Sequence, residues 1–127
     1  MTTGARVLAD GAGRDLVAAD VTVGVGFGST ATKEIAAGSN DSRGRISITS
    51  SGTGQAQATA TVAVVFTKAY EEIPVVVVSR DHTDEGTDAA ATVQPDVLVV
   101  SKTGFTLISN TLPVSGEETG FAYVVVG

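Results

Sequence analysis

The sequence predicts an all-β fold, an antiparallel β-sandwich of seven or eight strands in the jelly-roll or immunoglobulin style, and three observations carry it. Short apolar stretches recur along the 127 residues, with turn-forming clusters between them. Most of these stretches alternate apolar and polar residues, as strands with one buried face do, and none holds a convincing helical period. Three runs near the C-terminal end, 73–78, 97–100 and 121–126, are instead apolar at both alternating positions. Strands of that kind must be covered on two sides, which a chain this small cannot easily do alone. The sandwich is therefore expected to bury a second face against copies of itself.

Taken in order, residues 1–20 mix glycine and charge with the small apolar pieces Val7-Leu8 and 16–19, and predict an arm or short hairpin turning at 10–13. Val21-Thr-Val-Gly-Val-Gly-Phe-Gly28 predicts a strand with a bare face, which another backbone or a large side chain approaches closely. Residues 30–36 are the one candidate for a helical turn. The cluster at 38–44 marks the start of the compact domain, so the division expected is an attachment or interlocking arm over 1–36 and a sandwich over 37–127. Residues 45–49 alternate with Ile46 and Ile48 inward. After a turn at 50–54, residues 56–66 predict the longest strand, with Ala56, Ala58, Ala60, Val62, Val64 and Phe66 on one face.

Pro74 then opens a strand over 75–79, where its missing N–H is tolerated. A polar loop over 80–88 leads to short strands at 90–93 and 96–101, broken at Pro95. The turn 102–104 precedes a strand over 105–109, and a loop over 112–120 leads to the last strand, 121–126. Val75, Val77, Val97, Val99, Phe121, Tyr123 and Val125 are the residues expected to build the core and the contact between copies.

Composition narrows the function. Hydrophobic residues make up 43% of the chain but aromatics only 5%, so the core must be aliphatic, with Phe27, Phe66, Phe105 and Phe121 as larger fillers. With no cysteine there is no disulfide, thiolate zinc site or cysteine nucleophile. No signal peptide or membrane span is legible, and a chain that is soluble when made is expected. The net charge is −6, with nine acidic and two basic residues over 71–127. Lacking a basic stripe or a stacking platform, the chain is not expected to bind nucleic acid.

Candidate chemistry is sparse. His82 is the only histidine, and no Gly-x-Ser-x-Gly element stands ready to complete a Ser-His-Asp site, so it is expected to be a solvated loop residue. Four carboxylates fall within 81–88, but against the calcium-loop pattern Thr83, Glu85 and Thr92 stand at ligand positions without matching. That loop is expected to be hydrated, with no metal. Gly24, Gly26 and Gly28 lack phosphate-loop spacing. Glu71-Glu72 and Glu117-Glu118 are adjacent pairs, so each can place only one group in a cleft and neither forms a glycosidase dyad. No enzymatic activity and no cofactor are expected.

Four stretches carry a family likeness: Asn40-Asp-Ser-Arg-Gly-Arg-Ile-Ser-Ile48, residues 60–79, Thr103-Gly-Phe-Thr-Leu107 and Phe121-Ala-Tyr-Val-Val-Val-Gly127. Over about residues 38–127 the chain resembles the β-sandwich module of tailed-phage virion proteins, found in head fibres, capsid decoration proteins and distal tail-fibre domains. The resemblance implies a trimeric, non-enzymatic protein of the virion, with the major capsid protein or another virion protein as partner. Because the chain has no heptads and no Gly-X-Y shaft, and begins at Met1, capsid decoration is the expected role. The alternative is a receptor- or carbohydrate-binding tip of a tail fibre, which would recognise a host surface glycan through the loops at 50–54, 80–88 and 111–119.

Overall fold

The computed structural model describes residues 14–80 and 95–127. Eight strands run through them: β1 (Val21–Val23), β2 (Thr32–Ile35), β3 (Arg43–Thr49), β4 (Thr61–Val65), β5 (Val75–Arg80), β6 (Pro95–Val100), β7 (Gly104–Ser109) and β8 (Glu118–Val126). They form two four-stranded sheets, in the orders β1-β4-β7-β6 and β2-β3-β8-β5, antiparallel at every pairing. The chain is a β-sandwich.

Alternation explains the central strands. Ile46 and Ile48 of β3, Val62 and Val64 of β4, Phe105 and Leu107 of β7, and Phe121, Tyr123 and Val125 of β8 all turn between the sheets and are buried. Most of their neighbours in sequence are more exposed, Gly120 and Ile108 excepted. Of the six aromatic rings in the chain, four gather at one end of this core. Tyr70, Phe66, Phe105 and Tyr123 touch in series, with centroid separations of 4.7, 5.6 and 5.0 Å and tilted or edge-on planes. Such geometries let the positive ring edge meet a negative ring face.

The N-terminal part departs from expectation. β1 pairs with β4 and β2 with β3, while Leu16, Val21 and Phe27 join the core, so residues 14–36 are built into the sandwich and do not form a separate arm. The arm and turn expected over 1–13 lie outside the described residues. The helical turn expected over 30–36 is the strand β2. Its Lys33 stands opposite Ile48, on the inward side, and its ammonium donates to the carbonyls of Ala18, at 2.7 Å, and Val21. Lys33 thus ties the edge strand of one sheet to that of the other, and an inward lysine at an edge discourages pairing with stray strands.

The strands expected over 21–28 and 56–66 are both shorter than their alternation implies. Each includes a 3₁₀ turn, Val25–Phe27 in the first and Gln57–Thr59 in the second. The two turns meet at Gly26, whose amide plane lies so close to the second that a Cβ there would fall 2.1 Å from the Ala56 carbonyl oxygen. The close approach expected of this glycine run is therefore real, but it is made by a turn and not by a strand. Ala56 and Ala58 are exposed as a result, whereas Ala60, Val62, Val64 and Phe66 keep the shared buried face.

Two further boundaries move. Pro95 opens β6 instead of breaking it, because an edge strand needs no amide hydrogen on its open side. β8 begins at Glu118, inside the expected loop. The strand expected at 90–93 lies outside the described residues.

Candidate interaction surface

β5 is valine at four successive positions, and the pleat divides them. Val76 and Val78 turn inward and pack against the core, while Val75 and Val77 face out. β8 does the same with Tyr123 and Val125 inside and Val124 and Val126 outside. Register then brings the outward residues together, since Val75 stands opposite Val126 and Val77 opposite Val124. Val75, Val77, Val124 and Val126 are 62%, 57%, 50% and 59% exposed, and Ile73 in the connection entering β5 is 63% exposed. Cross-strand valines in water are a half-made contact: moving one fully exposed valine side chain out of water is worth about 1.5–3 kcal/mol. Contiguous apolar patches on a protein surface mark interaction sites.

A second exposed pair lies on the other sheet. A bulge in β6 puts one extra residue between the Val97–Leu107 and Val99–Thr106 pairings, and both Leu98 and Val99 are more than half exposed. β5 and β6 are the edge strands of their sheets on the same side of the sandwich, with Cα atoms approaching within 8 Å.

The residues expected to build the core and the contact between copies therefore separate. Phe121, Tyr123 and Val125 are core, Val97 is partly buried against the core, and Val75, Val77 and Val99 are exposed. Val124, Val126 and Leu98 belong with the exposed set; the order of the last strand predicts Val124, Val125 and Val126 to be central to the fold, but only Val125 is buried, and the doubled apolar pattern of 97–100 and 121–126 is the signal that contains the exposed three.

The remaining outward residues of the β2-β3-β8-β5 sheet are polar or small. Thr32 and Glu34 of β2 stand opposite Thr49 and Ser47 of β3, and Arg43 and Arg45 follow along β3 on the same side. Ala122 and Gly120 of β8 lie opposite Arg45 and Ser47, and Arg43 stands directly opposite Val124. Beside the two exposed arginines, the turn between β2 and β3 leaves an open recess of about 360 Å³, bordered by Ala36, Gly38, Ser39, Arg43, Arg45 and Tyr123.

A buried polar corner holds this end of the fold together. Asp41 is 1% exposed, yet both carboxylate oxygens are partnered. Oδ1 accepts from the Thr67 amide at 2.7 Å, and Oδ2 accepts from the Thr67 hydroxyl at 2.9 Å and the Lys68 amide at 3.0 Å. The preceding Asn40 closes the turn by accepting from the amides of Ser42 and Arg43. The Tyr70 hydroxyl donates to the Asp41 carbonyl at 3.2 Å and the Tyr123 hydroxyl to the Asn40 carbonyl at 2.7 Å. Gly44 leaves the room this needs, as a Cβ there would lie 2.6 Å from the Tyr123 hydroxyl. Burial, then the nearby Asp41 charge, pushes the Tyr70 phenol up to about 12 and raises that of Tyr123 as well. The 40–44 turn, the 66–70 corner and β8 meet here through these bonds.

Among the described residues the candidate chemical groups do not assemble into a site. Glu71 and Glu72 are exposed side by side, and Glu117 and Glu118 sit at the entrance to β8. Gly24, Gly26 and Gly28 serve backbone packing. His82 and the acidic cluster at 81–88 lie outside the described residues. Among the described residues no helix is long and apolar enough to cross a membrane. Comparison with protein families, with curated proteins and with solved structures finds no match.

Proposed function

We propose that the chain is a structural protein of a phage virion, a homotrimer that attaches to the capsid surface and decorates or stabilises the shell. Two things support this reading: the paired outward valines of β5 and β8, which a copy or partner would cover, and the resemblance carried by 40–48, 60–79, 103–107 and 121–127. The first is the observation that carries it. In a three-fold ring the contact is heterologous, so each copy presents one surface to the next and the ring closes without unused patches. Attachment at many identical sites would stabilise a shell by the sum of modest contacts.

The test is where the polypeptide sits. Antibody labelling of particles of the encoding phage, paired with co-sedimentation on shells lacking the chain, should place it on the capsid surface. Labelling confined to the tail, or binding to host glycans without binding to shells, would replace this reading with the tail-fibre tip.

A further inference from the structure

We propose that neighbouring copies are joined by a charged clamp as well as by valines, with Arg43 and Arg45 of one copy receiving Glu71 and Glu72 of the next. The inference rests on the reading that copies meet through the β5–β8 face. That face is electrically asymmetric. Its β3 flank carries Arg43 and Arg45, two residues apart on one side of the strand, and Arg43 adjoins Val124 of the apolar patch. The connection entering β5, at the end of the sheet where Val75 stands opposite Val126, carries the exposed Glu71 and Glu72 immediately before the exposed Ile73 and Val75.

Two other cations are engaged within the chain. Arg14 pairs with Asp20 at 2.7 Å, and Lys33 is committed to the Ala18 and Val21 carbonyls. Among the described residues no hydrogen bond or ion pair engages the guanidinium groups of Arg43 or Arg45, nor the carboxylates of Glu71 or Glu72. Two free guanidinium groups in a chain of net charge −6 stand beside a recess open enough to admit acidic side chains. Guanidinium and carboxylate groups match as forked, two-bond pairs. An apolar patch bordered by cations along one side and by carboxylates at one end fits a second copy of itself, because each copy brings the charge the other's border lacks.

Light scattering at micromolar concentration tests this. Arg43→Glu with Arg45→Glu should weaken association by about tenfold or more. Reversing all four charges together, with Glu71→Arg and Glu72→Arg added, should restore the wild-type mass. Circular dichroism should show every variant folded, since all four positions are exposed. The wild-type assembly should also loosen as salt rises, because the clamp is screened while the valine contact is not. An assembled wild type whose mass resists both the arginine reversal and added salt would overturn the clamp and leave the valine face standing. A monomeric wild type would overturn both.

Discussion

The outer face of the β2-β3-β8-β5 sheet has two halves built on one backbone pattern and finished differently. On the β2 and β3 side the outward positions are threonine, serine, glutamate and arginine, so the hydrophobic pattern stops where the core stops. On the β8 and β5 side it continues through to the surface as Val75, Val77, Val124 and Val126. Strand propensity alone does not explain the contrast, since threonine satisfies a strand as well as valine does. The difference is one of covering: the polar half is complete in water, and the valine half leaves apolar side chains exposed, which under the proposed function a second copy covers.

Placing a charge in the valine half should have the largest effect. Val77→Asp should abolish self-association, because an unpaired carboxylate in a closed contact costs several kcal/mol, while leaving the circular dichroism spectrum intact. A folded variant with wild-type mass would break the comparison, for it would mean that the valine half touches nothing.

Next comes the corner beneath both halves. Asp41→Ala should lower stability by about 3–5 kcal/mol in denaturant unfolding, because it strands the Thr67 and Lys68 donors in a buried position. That loss should appear in a non-associating background as well, which separates folding from assembly.

A smaller loss is expected in alkali. The folded protein holds the Tyr70 and Tyr123 protons more tightly than the unfolded chain does, so their contribution is fully present below the unfolded value near 10 and fades above it. For Tyr70 the window runs from pH 10 to about 12, where phenolate absorbance and the unfolding midpoint should shift together. Titration of both tyrosines at their ordinary value, with unchanged stability, would contradict the buried corner. The smallest effect belongs to the polar half: Glu34→Gln should change stability by no more than about 0.5 kcal/mol and leave the mass unaltered.

Much of this fold is legible in the sequence, and the failures have physical causes. β3 alternates cleanly because it is an inner strand with one face in the core. β2 is hidden since it is a polar edge strand whose inward Lys33 is satisfied by carbonyls, which leaves Thr32 to Ile35 without an apolar rhythm. The alternation over 21–28 and 56–66 misleads for a different reason. Glycine and alanine at every second position suit a half-bare strand and equally suit two turns pressed together, and only the tertiary contact at Gly26 distinguishes them.

The interaction surface divides in the same way. That apolar residues lie on both sides of β5 and β8 is plain from the run of valines. Which side is core and which is surface depends on register, and register depends on strand partners the sequence does not name. Asp41 is the clearest omission, because within Asn40-Asp-Ser it looks like any turn former, and its importance comes from the 66–70 corner folding back over it.

Everything said of the valine half can be tested by the mass of the wild-type protein in solution. Light scattering coupled to size exclusion at micromolar concentration should give three times the 12.7 kDa of one chain. A single folded species at the mass of one chain would contradict the account, for the exposed valines of β5 and β8 would then be an ordinary surface.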